Sequence, residues 1–130
     1  MERKRKILLD TNAIVYFLEG VAGFEVLGTY SKFFYSFITE IELLAYGDEQ
    51  RRQMILKFLK NGKHVGIDNT IIANTIAIKR NYGLKIPDAI IVASAQKLDT
   101  DLFTSDKEIV RKIDFLTIHD LLDHDALLQR

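Results

Sequence analysis

The chain has 130 residues and a mass of 15.0 kDa, with 48% apolar and 28% charged residues. That is the size and balance of one globular domain, and it excludes collagen-like, coiled-coil and wholly disordered chains. Its 18 basic and 18 acidic side chains sum to zero formal charge, so a bulk basic footprint for nucleic acid is absent, and the lack of cysteine removes disulfide frameworks, zinc ribbons and thiol nucleophiles.

The elements follow in chain order. Residues 1–6 form a short basic arm carrying Arg3, Lys4, Arg5 and Lys6. Ile7, Leu8 and Leu9 then read as a buried parallel strand, because they lack polar alternation. Asp10 ends this run too early for a signal peptide, and no later apolar stretch is long enough to span a bilayer. A cytoplasmic protein without membrane contact is the expectation. Ala13 to Leu18 reads as a buried helix ending near Gly20. Phe33 to Phe37 is strand-like, and from Ile38 the pattern turns helical until Gly47.

Residues 49–60 predict an amphipathic helix with Met54, Ile55, Phe58 and Leu59 on one face and Asn61-Gly62 as its cap. His64 to Ile67 is a weak strand. Asp68 caps a helix carrying Ile71, Ile72 and Ile76, which ends at Gly83. Pro87 suits the first turn of a buried helix over 87–98. Leu102 to Thr104 is a short strand, Asp106 to Lys112 a helix, and Phe115 to Ile118 a last strand. A short helical tail, about 118–130, closes the chain. Alternating strands and helices predict a single α/β domain over 1–130, with a central, mostly parallel sheet flanked by helices.

Four acids stand beside apolar runs that must be buried. Asp10 follows Ile-Leu-Leu, Glu42 lies in an apolar helix, Asp88 precedes Ala-Ile-Ile-Val-Ala, and Asp106 follows Leu-Phe-Thr. In open parallel sheets, sites form past the carboxyl ends of strands, where these acids could converge. Convergent carboxylates repel unless protons or a cation neutralise them. Oxygen ligands without His or Cys favour Mg2+ or Mn2+, and such a centre suits phosphodiester hydrolysis. Each acid also has a structural reading. Asp10 and Asp106 could be ordinary N-caps, with Ser105 competing. Asp88 could answer a helix dipole, and Glu40 could stand in for Glu42.

With these residues in view, the sequence resembles a known family. Leu9-Asp10-Thr11-Asn12 looks like the opening motif of PIN-domain nucleases, and Ser36 to Leu43 like their second motif, whose acid matches Glu42. Pro87-Asp88-Ala89 with its apolar helix resembles the third, and Phe103-Thr104-Ser105-Asp106 the fourth. Size and layout are similar to the VapC-type toxins of toxin–antitoxin pairs. Ile109 stands where many members have Phe, a conservative packing change. The resemblance implies a Mg2+- or Mn2+-dependent endoribonuclease whose catalytic and metal-holding acids are Asp10, Glu42, Asp88 and Asp106. It implies Asn12 and Thr104 as supporting polar residues, Thr104 orienting an acid. It also implies a homodimer restrained by a small antitoxin whose tail crosses the active site.

RNA needs cationic contacts, and Lys107, Arg111 and Lys85 are the candidates, with Lys79, Arg80 and the arm as further ones. His119 and Asp123 would share a face on a helical tail and mimic a metal pair; a packing helix is the preferred reading. Two other classes remain open: a non-catalytic scaffold that docks partners, and an aspartate-based phosphotransfer domain. The latter needs a second aspartate two residues after the first, where Asn12 stands.

Overall fold

Ile7, Leu8 and Leu9 lack polar alternation because both faces of their strand are covered. The computed structural model describes residues 5–20, 27–28 and 30–120. Strand β1 (Arg5–Leu9) runs into α1 (Thr11–Leu18), and β2 (Tyr30–Ser36) runs into α2 (Phe37–Leu44). Next come α3 (Glu49–Leu59), β3 (Lys63–Val65), α4 (Asn69–Tyr82) and α5 (Ile86–Leu98). The short β4 (Asp101–Phe103), α6 (Lys107–Lys112) and β5 (Ile118–His119) complete the described elements. The sheet order is β3-β2-β1-β4-β5 and every pairing is parallel.

Two apolar layers sandwich this sheet. Ile7, Leu9 and Phe103 point toward Ile14 and Phe17 of α1, Leu43 of α2 and Ile55 of α3. Leu8 and Leu102 point the other way, toward Ile71 of α4, Ile91 and Val92 of α5 and Ile109 of α6. The strict alternation within β1 follows from the two-residue period of a strand. Ile109 is fully buried in this second layer.

Several expectations need correction. Arg5 and Lys6 belong to β1, so the basic arm is shorter than residues 1–6; residues 1–4 lie outside the described ones. The last strand is Ile118–His119, set by register against Leu102 and Phe103 rather than by the apolar run at 115. Residue 118 therefore does not open a helical tail, and 121–130 lie outside the described residues. Met54 is 48% exposed and Ile76 53% exposed, with Ile72 also at the surface. The faces of α3 and α4 that meet the core carry Ile55 and Leu59, and Ile71 and Ile78, instead.

Glycines punctuate as expected at Gly83, whose φ of 69° closes α4 in the left-handed region. Gly62 acts differently. Helix α3 is capped by Lys60 in right-handed geometry, and Gly62 instead gives room to Phe33, whose ring a Cβ would overlap. That ring packs on Phe58 at 5.2 Å between centroids. Gly62→Ala is therefore expected to destabilise by about 1–3 kcal/mol, as overpacking does. Urea denaturation checks this, and an unchanged midpoint would mean that the Phe33 ring swings aside freely.

Candidate active site

Strand order reverses at β1, with β2 and β3 on one side and β4 and β5 on the other. A crevice must therefore open past the carboxyl ends of β1 and β4. Asp10 enters it directly from β1, its N–H donating to the Phe103 carbonyl at 2.9 Å. Asp10 N-caps α1, accepting the Thr11 N–H on Oδ1 at 2.7 Å. Its other oxygen accepts the Thr104 hydroxyl at 2.7 Å. The residue is only 6% exposed. Burial pushes its carboxyl up from 3.8 to about 6, against the two hydrogen bonds, and the charges of Asp88 and Asp106 add to the rise.

Thr104 is fully buried, and its hydroxyl also accepts the Asp106 N–H at 3.0 Å. Asn12 Oδ1 accepts the Ser105 N–H at 3.1 Å. These bonds tie the loop after β4 to the start of α1. Asp106 N-caps α6, taking the N–H groups of Glu108 and Ile109 on Oδ1, each at 3.0 Å. Ser105 does not compete for this cap; its buried hydroxyl lacks a partner among the described residues.

Asp88 lies in the first turn of α5, after Pro87, where no side chain caps the helix. Its carboxyl is raised by burial and by the Asp106 charge; Lys85 opposes this and Glu42 adds to it. Glu42, on the exposed side of α2, accepts the Thr11 hydroxyl at 2.8 Å. Glu40 does not replace it, because Glu40 pairs with His64 at 2.9 Å. Asp10, Asn12, Glu42, Asp88 and Asp106 all line one cleft of about 420 Å3. A larger hollow of about 600 Å3 lies beside it between α1 and α3, but no such set of acids converges there.

Do these residues suit a divalent cation? The donors are all oxygen, the choice of hard ions such as Mg2+ and Mn2+. None of the four acids makes an ion pair among the described residues. Their mutual repulsion, which adds to the burial that chiefly raises the carboxyls of Asp10 and Asp88, is thus unrelieved by protein cations in contact. Among the described residues no three acidic or histidine side chains close up tightly enough to hold an ion alone. A water-rich coordination sphere anchored by one or two carboxylates, the habit of Mg2+, fits that spacing.

The other expected positions divide. Lys107 and Lys85 are exposed beside Asp106 and Asp88. Arg111 donates through one nitrogen, Nη2, to both Glu108 oxygens at 2.9 and 2.7 Å, an exposed pairing. His119 is no helical metal partner of Asp123: it stands in β5, with Nε2 at 2.9 Å from Tyr30 Oη and 3.1 Å from Asp101. Asp123 lies outside the described residues. Sequence reading passed over Thr11 and Thr39, whose hydroxyls meet at 3.0 Å behind Glu42. The available signal was spacing, since Thr39 and Glu42 are three apart on one helix face.

Comparison with known proteins gives consistent results. A family model described as PIN domain matches residues 7–116. A toxin–antitoxin complex from Klebsiella pneumoniae aligns with a TM-score of 0.76 at 24% identity, covering 88% of this chain and 96% of that one. VapBC2 from Rickettsia felis, bound to a promoter DNA fragment, gives 0.75 at 16% identity over 88% and 97%. VapBC-1 from nontypeable Haemophilus influenzae gives 0.75 at 20% identity over 90% and 98%. At these identities the likeness is one of fold. No curated protein matches the chain by sequence.

Proposed function

The chain belongs to the PIN domain family, and from that premise we propose that it is a Mg2+- or Mn2+-dependent endoribonuclease, the toxin of a toxin–antitoxin pair. The observation that carries this reading is the arrival of Asp10, Glu42, Asp88 and Asp106 in one cleft, without a neutralising ion pair among the described residues. In this reading Asp10, Asp88 and Asp106 would hold the ion, directly or through water, and Glu42 would hold it through a water that it positions. When bound, such an ion lowers the pKa of water and offsets charge building on a phosphate.

The chain's own residues supply the rest. Thr104 and Thr11 hold the Asp10 carboxylate at fixed orientation from two sides. Glu42 accepts a hydrogen bond from the attacking water and aims its oxygen at phosphorus. The new P–O bond forms in line as the P–O3′ bond breaks; the attacking water gives up a proton to solvent, and the 3′-oxygen takes one from solvent. Lys107 and Lys85, exposed beside Asp106 and Asp88, would contact flanking phosphates, as would Arg111, which also pairs with Glu108. Asp10 speaks against the phosphotransfer alternative: it is buried and both its oxygens are engaged, which hinders direct attack on a phosphoryl donor.

A homodimer and a small antitoxin partner complete the proposal. Similar folds were solved as toxin–antitoxin complexes, which supports the second. Cytoplasmic residence belongs to the same reading, and no described helix is long and apolar enough to cross a membrane. Incubating the protein with total RNA and Mn2+ tests the chemistry. Fragments with 5′-phosphate and 3′-hydroxyl ends are expected, whereas 2′,3′-cyclic phosphates would mean that the 2′-hydroxyl attacked and would overturn the hydrolytic scheme.

A further inference from the structure

Two of the four acids share one neighbour. The Thr11 N–H donates to Asp10 Oδ1 at 2.7 Å, and the Thr11 hydroxyl lies 2.8 Å from Glu42 Oε1. The same hydroxyl lies 3.0 Å from the hydroxyl of Thr39, a residue that is 0% exposed. Proton counting fixes the direction of this chain. An ionised glutamate only accepts, so the single Thr11 hydroxyl proton goes to Glu42. The Thr11–Thr39 contact must then be donated by Thr39, which is shielded from water. The protons have one arrangement: Thr39 to Thr11, and Thr11 to Glu42.

We propose that Thr11 is a positioning residue that sets Glu42 relative to Asp10, with Thr39 bracing it from α2. This rests on the nuclease reading of the cleft and goes beyond it, since that reading uses only the backbone N–H of Thr11 and gives Thr39 no role. The backbone nitrogen and hydroxyl of Thr11 are linked through a β-branched carbon with restricted rotation in a helix. The separation of the two carboxylates is thus held by one stiff residue. Glu42 needs such a hold more than Asp10 does, because its side chain is at the surface, where an unbraced glutamate would sample several rotamers. Aligned hydroxyls also polarise one another, so removing Thr39 weakens the bond that Thr11 makes.

The test uses the full chain with glutamate 13C-labelled at its carboxyl carbon, and Glu42→Gln assigns the Glu42 signal. Thr11→Val keeps the shape and the backbone donor and deletes the hydroxyl, whereas Thr11→Ser keeps it. In the metal-free protein, Thr11→Val is expected to shift and broaden the Glu42 signal, and Thr11→Ser to restore it. By calorimetry, Thr11→Val is expected to weaken Mn2+ binding by about 10–100-fold, the usual effect of losing a group that orients a ligand. RNA cleavage should lose kcat by a similar factor with KM little changed. Thr39→Val should move each readout the same way by less, and it carries the test if Thr11→Val does not fold.

A wild-type Glu42 signal and wild-type Mn2+ affinity in Thr11→Val would overturn the proposal and leave the nuclease reading standing. A displaced Glu42 signal in a protein whose wild type cleaves no RNA would do the reverse.

Discussion

At pH 7.5 the Asp10→Asn variant is expected to be folded, more stable than the wild type and inactive. The stability sign follows from linkage. The Asp10 carboxyl titrates near 3.8 when exposed and near 6 in the folded chain, chiefly because it is buried. Below 3.8 it is protonated in both states and carries no penalty. Between 3.8 and about 6 the folded state keeps a proton that the unfolded state has lost, so stability falls as pH rises. Above about 6 the penalty is constant, at about 3 kcal/mol for that gap. Asparagine removes the charge and keeps an oxygen for the Thr11 N–H. Its amide disturbs the Thr104 bond, which offsets part of the gain. Thermal melts should show the variant ahead by a few degrees at pH 7.5 and level with the wild type near pH 4. Cleavage should fall by at least about 10³-fold, about 4 kcal/mol of barrier. A variant that melts lower than the wild type at pH 7.5 would refute the burial penalty, and wild-type cleavage rates would remove Asp10 from the site.

That penalty also explains what was legible beforehand. An acid directly after three consecutive apolar residues is a local conflict, and such conflicts gather at functional sites. Asp10 and Asp106 could be placed together because topology alone brings the ends of β1 and β4 side by side. The cap reading and the site reading turned out to be compatible for both: one carboxylate oxygen of each accepts helix N–H groups, and the side chain still lines the cleft. Glu42 against Glu40 needed the motif resemblance, since both lie on the same short helix. Only coordinates show that Glu40 is engaged by His64.

The misses share a cause. Met54, Ile72 and Ile76 fit an apolar stripe, yet the faces that α3 and α4 turn inward are set by the elements they pack on. For α4 that is mainly α5, and the core there is closed by Ile71 and Ile78. Strands of two or three residues, such as β5, are too short to show a period and exist by register with a neighbour. Thr11 and Thr39, whose hydroxyls join two helices, are 28 positions apart, beyond the reach of any local pattern.

Mn2+ and protons should compete for Asp10, and this separates a metal site from a merely acidic hollow. A cation that binds the folded chain alone raises its stability by an amount set by concentration over Kd, about 2.7 kcal/mol at a hundredfold excess. Melts of the wild type at pH 7.5 should therefore rise with Mn2+ and saturate. The same titration should do little in Asp10→Asn and Asp88→Asn, even though Asp10→Asn starts from a higher baseline. Loading the ion must displace the proton from a carboxyl that titrates near 6, so apparent affinity should fall about tenfold for each pH step below that value. An ordinary surface carboxylate would show this decline only below about 4. Rising melts that persist in both variants would locate the ion elsewhere. A Mn2+ affinity that stays flat from pH 7.5 to pH 5 would mean that the buried carboxyl of Asp10 plays no part in holding it.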